Sequence, residues 1–134
     1  MPLKWTEQLS TKIHLFDHEH KKLVDLINKL SDAMLKKEAN NVLGSILNEL
    51  TDYTIIHFKH EEDAMKKHNF PGFDAHKKQH EDFVSKVADT KKKYEEGAIM
   101  LTMPLINFLT TWVVEHISKS DLGYSAFLVK AGMR

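Results

Sequence analysis

The sequence predicts an all-α protein, folded as an antiparallel up-down-up-down four-helix bundle with an N-terminal arm and a short C-terminal helix. The chain has 134 residues but only 5 glycines and 3 prolines, which separate long segments instead of filling them. Within those segments apolar residues recur every three or four positions, the period of a helix and not of a strand. Four such segments with short connections favour antiparallel neighbours in a bundle.

The length corresponds to one domain, because domains usually contain roughly 100 to 150 residues. A chain of this size buries enough surface to fold without disulfides, which suits the absence of cysteine. We expect a single domain over residues 1–134, with the arm over 1–16 and the C-terminal helix near 122–128. The four long helices are expected at about 17–37, 41–67, 73–95 and 103–119.

The first helix is expected to begin at Asp17, since aspartate is a favourable N-cap. Its apolar stripe continues in steps of four and three residues, and His20 lies on the same stripe, three positions before the first apolar member. The apolar members are Leu23, Ile27, Leu30 and Met34.

The second helix is expected to begin at Asn40 or Asn41, and its stripe changes from apolar to polar after Thr54. In chain order that stripe contains Leu43, Leu47, Leu50, Thr54, His57, Glu61 and Met65. The third helix follows a break at 69–72 and is expected to end at Gly97. On one face it carries His76, His80, Phe83, Val87 and Tyr94.

The fourth helix is expected to have Thr102 as its cap and Pro104 in its first turn. Val113 and Ile117 lie beside its main stripe. That stripe consists of Leu105, Leu109, Trp112 and His116.

The charge and the cysteine count exclude several classes of function. Basic and acidic residues number 19 each, so the formal net charge is zero and the chain lacks the basic footprint of a nucleic-acid-binding protein. Without cysteine, the chain has no thiol nucleophile and no ligand for a cysteine-held iron–sulfur cluster.

The protein is expected in the cytoplasm. The first ten residues contain charged side chains and no apolar run, so no signal peptide is predicted. No uncharged apolar segment approaches the roughly 20 residues of a transmembrane helix. Mixed surface charges such as Lys36, Lys37 and Glu38 favour a monomer but leave the oligomeric state open.

Six polar residues lie on the inward stripes of the four helices. Burying them without partners would cost several kcal/mol in total. A hydrogen-bonded network of imidazoles and carboxylates is one solution, but it leaves acceptor nitrogens of neutral imidazoles facing each other. A metal ion removes that conflict. The six residues are His20, His57, Glu61, His76, His80 and His116.

An antiparallel bundle brings these residues to one end. His57 with Glu61, and His76 with His80, are i, i+4 pairs whose side chains can reach one metal or adjacent metals. Asp121 follows five residues after the last histidine, where we expect the helix to unwind, and is the acid best placed to turn back toward the same point.

Together these motifs resemble the hemerythrin family, in its bacterial single-domain form, over nearly the whole chain. Each motif alone is weak, but their order and gaps are specific. The resemblance rests on Trp5, DHEHKKL at 17–23, YTIIHFKHEEDAM at 53–65, Pro71, HKKQH at 76–80, Phe83, WVVEHISKSD at 112–121 and Tyr124.

The resemblance implies a non-haem di-iron centre that binds dioxygen reversibly, in an oxygen carrier, store or scavenger and not in an enzyme. One iron would have three histidine ligands and the other two, with two carboxylates and an oxo or hydroxo group bridging the pair. The implied ligands are His76, His80 and His116 for one iron, His20 and His57 for the other, and Glu61 and Asp121 as bridges.

With about six ligands per iron, this set fills about eleven of twelve positions and leaves one open on the iron with two histidines. A diatomic ligand fits there, and the nitrogen-rich donor set favours ferrous iron over the high-valent chemistry of carboxylate-rich bundle enzymes. An oxygen-consuming enzyme is one candidate recipient of dioxygen and a reductase is one candidate partner, and the sequence identifies neither. The pocket is expected to be lined by Leu23, Phe58, Trp112, Val113 and Ile117.

Other hypotheses stay open. The site also suits an O2-sensing or redox-sensing module, or an enzyme that reduces peroxide or nitric oxide, and zinc competes as the metal although it needs only about four ligands. His60 is expected in solvent, the role of His68 is open, and His14 with His18 suggests an exterior metal site or a pH-sensitive patch. Candidates for fixing the imidazole tautomers are Glu19, Tyr53, Gln79 and Tyr124.

Overall fold

The computed structural model describes residues 4–37, 40–96 and 103–134, and confirms the all-α four-helix bundle. A 3₁₀ turn at Glu7–Leu9 precedes the first helix, and a π-helical turn at His116–Asp121 connects the last two helices. The helices are α1 (His14–Leu35), α2 (Asn40–Lys67), α3 (Phe73–Glu95), α4 (Met103–Glu115) and α5 (Leu122–Lys130).

The contacts between the helices show that neighbours are antiparallel. Glu19, early in α1, pairs with His57, late in α2, whereas Lys29 pairs with the earlier Glu49. Helix α3 is antiparallel to both of its neighbours as well. His80, early in α3, contacts Glu62, late in α2, whereas the later Phe83 contacts the earlier Phe58. Likewise Gln79 contacts His116, just after α4, whereas Phe83 contacts the earlier Trp112. The late part of α2 therefore lies level with the early parts of α1 and α3 and with the end of α4.

Two hydrophobic clusters form the interior. The larger runs along the bundle and is built from the predicted stripes, including Leu30, Leu47, Phe83 and Leu109. The smaller cluster is separated from the larger one by the polar residues of the stripes. It consists of Ile13, Phe16, Met65, Tyr124 and Leu128. The polar residues of the stripes lie between these two clusters, away from bulk water.

The prediction that Asp17 caps the first helix is wrong, because α1 begins three residues earlier with Ile13 at the N-cap position. Asp17 instead lies within the helix and fastens the N-terminal arm to it. Its Oδ1 accepts hydrogen bonds from the backbone N–H and the hydroxyl of Thr11, at 2.7 and 2.8 Å, and its Oδ2 accepts one from Ser10 at 2.5 Å.

Two expected helix ends also differ. The first helix ends at Leu35, and Lys37 has a positive φ of 55°, which turns the chain out of the helix. The fourth does not unwind near residue 119 but continues through the π-helical turn into α5. The expected Gly97 terminus and Thr102 cap lie outside the described residues, as do Glu38 and the side chains of Asn41, Pro104 and Leu105.

Candidate metal centre

The fold brings all seven candidate ligands into one buried cluster. Each has a relative exposure of no more than 6%. The donor atoms form two overlapping groups, within each of which they lie within 4.8 Å of one another. The first group contains Glu61, His76, His80, His116 and Asp121, and the second contains His20, His57, Glu61 and Asp121.

The π-helical turn explains how Asp121 reaches the cluster. In an α-helix, residues five apart point about 140° away from each other, because each residue turns about 100°. A π-helix closes its turn between residues i and i+5, so His116 and Asp121 share one face. His116 Nε2 lies 2.9 Å from Asp121 Oδ1.

The Glu61 carboxylate faces different histidines with its two oxygens. Oε1 lies 3.2 Å from His80 Nε2 and 4.0 Å from His76 Nε2. Oε2 lies 3.3 Å from His20 Nε2 and 3.4 Å from His57 Nε2. One carboxylate is therefore shared between a three-histidine half and a two-histidine half of the cluster.

Asp121 is shared in the same way. Its Oδ1 faces the three-histidine half, at 3.0 Å from His76 Nε2, and its Oδ2 lies 3.1 Å from His20 Nε2 in the two-histidine half. The two carboxylates thus span the same two groups of imidazoles.

Several buried polar atoms in the cluster lack hydrogen-bond partners, although most buried polar atoms in proteins have one. Among the described residues, they include Glu61 Oε1, His76 Nε2 and both carboxylate oxygens of Asp121. His80 Nε2 and His116 Nε2 also face each other at 3.0 Å, which places one lone pair opposite another unless a proton or a cation intervenes. This donor set suits metal cations.

Three imidazoles are oriented from outside by hydrogen bonds at Nδ1. His57 Nδ1–H donates to Glu19 at 2.8 Å, His80 Nδ1–H to Glu62 at 2.9 Å, and His116 Nδ1–H to Gln79 at 3.0 Å. Because Nδ1 carries the proton, a neutral imidazole directs its Nε2 lone pair inward, as a metal ligand must.

Three of the four residues predicted to orient the cluster make hydrogen bonds to it. Glu19 and Gln79 accept hydrogen bonds from imidazoles, and the Tyr124 hydroxyl donates to Glu61 Oε2. Tyr53 instead packs against the larger hydrophobic cluster. Glu62 was not predicted, because it points from α2 toward α3 and lies off the inward stripe.

His60 is not simply a solvated side chain. Its side chain is 41% exposed, and its Nδ1–H donates to Glu19 Oε2 at 2.6 Å. Glu19 thus connects half-exposed His60 to buried His57. His14 and His18 are exposed and line a surface concavity with Lys12 and Lys21, apart from the buried cluster.

Burial and charge affect the pKa values of the cluster in opposite directions. Burial disfavours a charged imidazole, but the nearby carboxylates of Asp121 and Glu61 outweigh burial and raise the pKa of His20 to about 10. Burial would raise the pKa of Glu61, but the charge of His57 and hydrogen bonds from imidazoles hold it well below its usual range. Burial lowers the pKa of His116, which favours its neutral form. Without metal, imidazolium groups supply the positive charge beside the carboxylates.

A small cavity of about 10 Å³ adjoins the cluster. It contacts His20 and His57 of the two-histidine half, but only His116 of the other half. Such a volume holds about one water-sized molecule. The remaining lining consists of Asp121, Thr54, Phe83 and all five predicted pocket residues, Leu23, Phe58, Trp112, Val113 and Ile117.

Comparison with known proteins agrees with this geometry. The family model described as the hemerythrin HHE cation binding domain matches residues 11–128. The chain belongs to the hemerythrin family. A bacteriohemerythrin of Methylococcus capsulatus is 34% identical over 127 residues, which cover 94% of this chain and 96% of that hemerythrin. A bacteriohemerythrin of Pseudomonas aeruginosa is 35% identical over 122 residues, covering 91% and 78% of the two chains.

A crystal structure of a wild-type hemerythrin has the same fold. It is 33% identical to this chain, with a TM-score of 0.90, and the match covers 96% of this chain and 98% of the hemerythrin. Among the described helices, none is long and apolar enough to span a membrane.

Proposed function

We propose that this protein binds dioxygen reversibly at a non-haem di-iron centre, as a carrier, store or scavenger and not as an enzyme. Family membership supports a metal-binding, oxygen-binding type of function. The proposed ligands are His76, His80 and His116 for one iron, His20 and His57 for the other, and Glu61 and Asp121 as carboxylate bridges, with an oxo or hydroxo group between the irons.

The observation that carries this proposal is the sharing of both carboxylates. In Glu61 and in Asp121, one oxygen faces the three-histidine half and the other faces the two-histidine half. A single metal would not require two carboxylates to face two separate groups of imidazoles. Seven donor residues also exceed the about four ligands of a tetrahedral zinc site.

The cavity supports an open position on the iron with fewer histidines. It reaches both His20 and His57, and its size fits a diatomic molecule better than an organic substrate. The metal pair would supply the electrons that dioxygen exchanges on binding and release.

The cavity wall supports binding over further reaction. Among the described residues other than the proposed ligands, Thr54 is the only hydroxyl, amide or acid side chain in its wall, and its hydroxyl donates to the Leu50 carbonyl at 2.7 Å. In this described part of the wall, no acid beyond the proposed ligands is placed to protonate a bound ligand, and the apolar side chains exclude water.

Gas uptake tests the proposal. The reduced, iron-loaded protein is expected to take up one dioxygen per two irons in an oxygen-electrode cell and to return it when the oxygen pressure is lowered. Continuous oxygen consumption with a reductant would favour an enzyme, and one-way oxidation without return would favour a redox sensor. Either result would contradict reversible binding.

A further inference from the structure

His20 differs in its outer nitrogen from three other cluster histidines, His57, His80 and His116. In those three, Nδ1–H meets a carboxylate or amide oxygen. His20 Nδ1 is buried, and no described residue hydrogen-bonds to it. Because histidines that bind metals almost always donate the second ring N–H to an acceptor, His20 lacks the partner that its proposed role requires.

Trp5 lies beside His20 and also has a buried ring nitrogen without a hydrogen-bond partner among the described residues. The Trp5 and His20 ring centroids lie 6.4 Å apart. An indole nitrogen only donates hydrogen bonds. His20 Nδ1 also donates when Nε2 binds a metal, so the two groups cannot satisfy each other. Both need the same third group, an acceptor.

The N-terminal arm holds Trp5 in this place. Asp17 fixes the arm through Ser10 and Thr11, and the Lys21 ammonium lies 5.3 Å from the Trp5 ring centroid. A cation over an indole face is attracted to it. The indole is therefore held against α1 next to His20.

We propose that Trp5 holds a buried water molecule that accepts hydrogen bonds from both Trp5 Nε1–H and His20 Nδ1–H, and that this water orients the His20 imidazole. Two N–H···O bonds of about 2.9 Å each can join nitrogens up to about 6 Å apart, and the centroids of the two rings lie 6.4 Å apart. Buried waters typically make about three hydrogen bonds to such otherwise unpaired groups. Trp5 is thus a positioning residue, and its role rests on the proposed function of His20 as an iron ligand.

Measured iron affinities distinguish a hydrogen-bonding role of Trp5 from a packing role. Trp5→Phe keeps an aromatic ring but removes the N–H, so the affinity for one of the two irons is expected to fall about 10–100-fold in a chelator competition. Lys22→Ala is the matched control, because it removes an exposed lysine of the same helix and keeps both N–H groups; it should bind iron as the unsubstituted chain does. Equal weakening in the two variants, or none in Trp5→Phe, would overturn the inference.

A crystal structure at high resolution tests the water itself. In the unsubstituted protein, one water oxygen is expected within about 3.2 Å of both nitrogens, and it should be absent in Trp5→Phe. A backbone carbonyl or an ion in that place would contradict the inference even if the variant does not fold. If the unsubstituted chain binds no iron, the proposed function fails, whereas iron binding without this water overturns only the role of Trp5.

Discussion

Inner and outer contacts hold the cluster residues: His57 Nε2 lies 3.4 Å from Glu61 Oε2 inside the cluster, and His80 Nδ1–H donates to Glu62 on its outside. The inner contacts follow from helical spacing, because residues three or four apart on a stripe face the same way; His57 and Glu61 are an example. The outer contacts depend on side chains of other helices. Glu62 lies next to Glu61 but meets His80 of α3, a pairing that no local pattern indicates.

At the residue scale, His116→Ala is expected to reduce iron from two atoms per chain to one or none, because it removes one of three imidazoles from its half of the cluster. His14→Ala is the matched control: it removes an exposed histidine and should leave iron content unchanged. Metal analysis of purified protein, with circular dichroism to verify helix content, checks both. Full iron content in His116→Ala would contradict its role as a ligand.

At the scale of elements, the stripes predict the helices well, whereas the ends depend on interactions outside the stripes. Asp17 looks like an N-cap, but its carboxylate reaches back to the arm, so the helix starts earlier. The π-helical turn was not predicted, because apolar periodicity does not reveal one extra residue in a turn. Its signal was the five-residue interval between His116 and Asp121, which an α-helix cannot place on one face.

Inserting one alanine after Lys119, an exposed residue within the π-helical turn, is expected to abolish binding of both irons while helix content is largely kept. The insertion lengthens the interval between His116 and Asp121 to six residues, which neither an α-helical nor a π-helical turn places on one face, and it also rotates Tyr124 away from the cluster. Lys119→Ala is the control and should bind two irons. Metal analysis and circular dichroism compare the two, and normal iron content in the insertion variant would show that the five-residue interval of the π-helical turn is dispensable.

At the scale of the whole molecule, the buried cluster makes stability depend on pH and on metal. The bundle places two carboxylates and several imidazoles between two hydrophobic clusters, where charge is tolerated only when it is paired. In the metal-free protein the pairing is between carboxylate and imidazolium. In the iron-bound protein the same imidazoles must be deprotonated, so the two forms should respond oppositely to alkaline pH.

The metal-free protein is expected to lose stability as the pH rises from about 6.5 through about 10. Burial opposes protonation of His20, but Asp121 and Glu61 raise its folded-state pKa from 6.5 to about 10, so the stabilisation is complete below 6.5 and disappears above 10. At the acid end, the lowered pKa of Glu61 adds stability that is lost as the pH falls below its ordinary value of 4.5.

Thermal unfolding followed by circular dichroism checks this dependence in metal-free and iron-loaded samples. The Tm of the metal-free protein should fall across the alkaline range, and that of the iron-loaded protein should not. A constant Tm for the metal-free protein between pH 6.5 and about 10 would contradict the pairing of His20 with the carboxylates.

The absorption spectrum of the reduced, iron-loaded protein tests the central claim most directly, recorded without oxygen, then in air, then after oxygen is removed, with iron quantified per chain. We expect a visible charge-transfer band that appears in air and disappears under vacuum over repeated cycles, at two irons per chain. A rapid, one-way change to a ferric spectrum, or one iron per chain, would contradict a reversible dioxygen site shared between the two halves of the cluster.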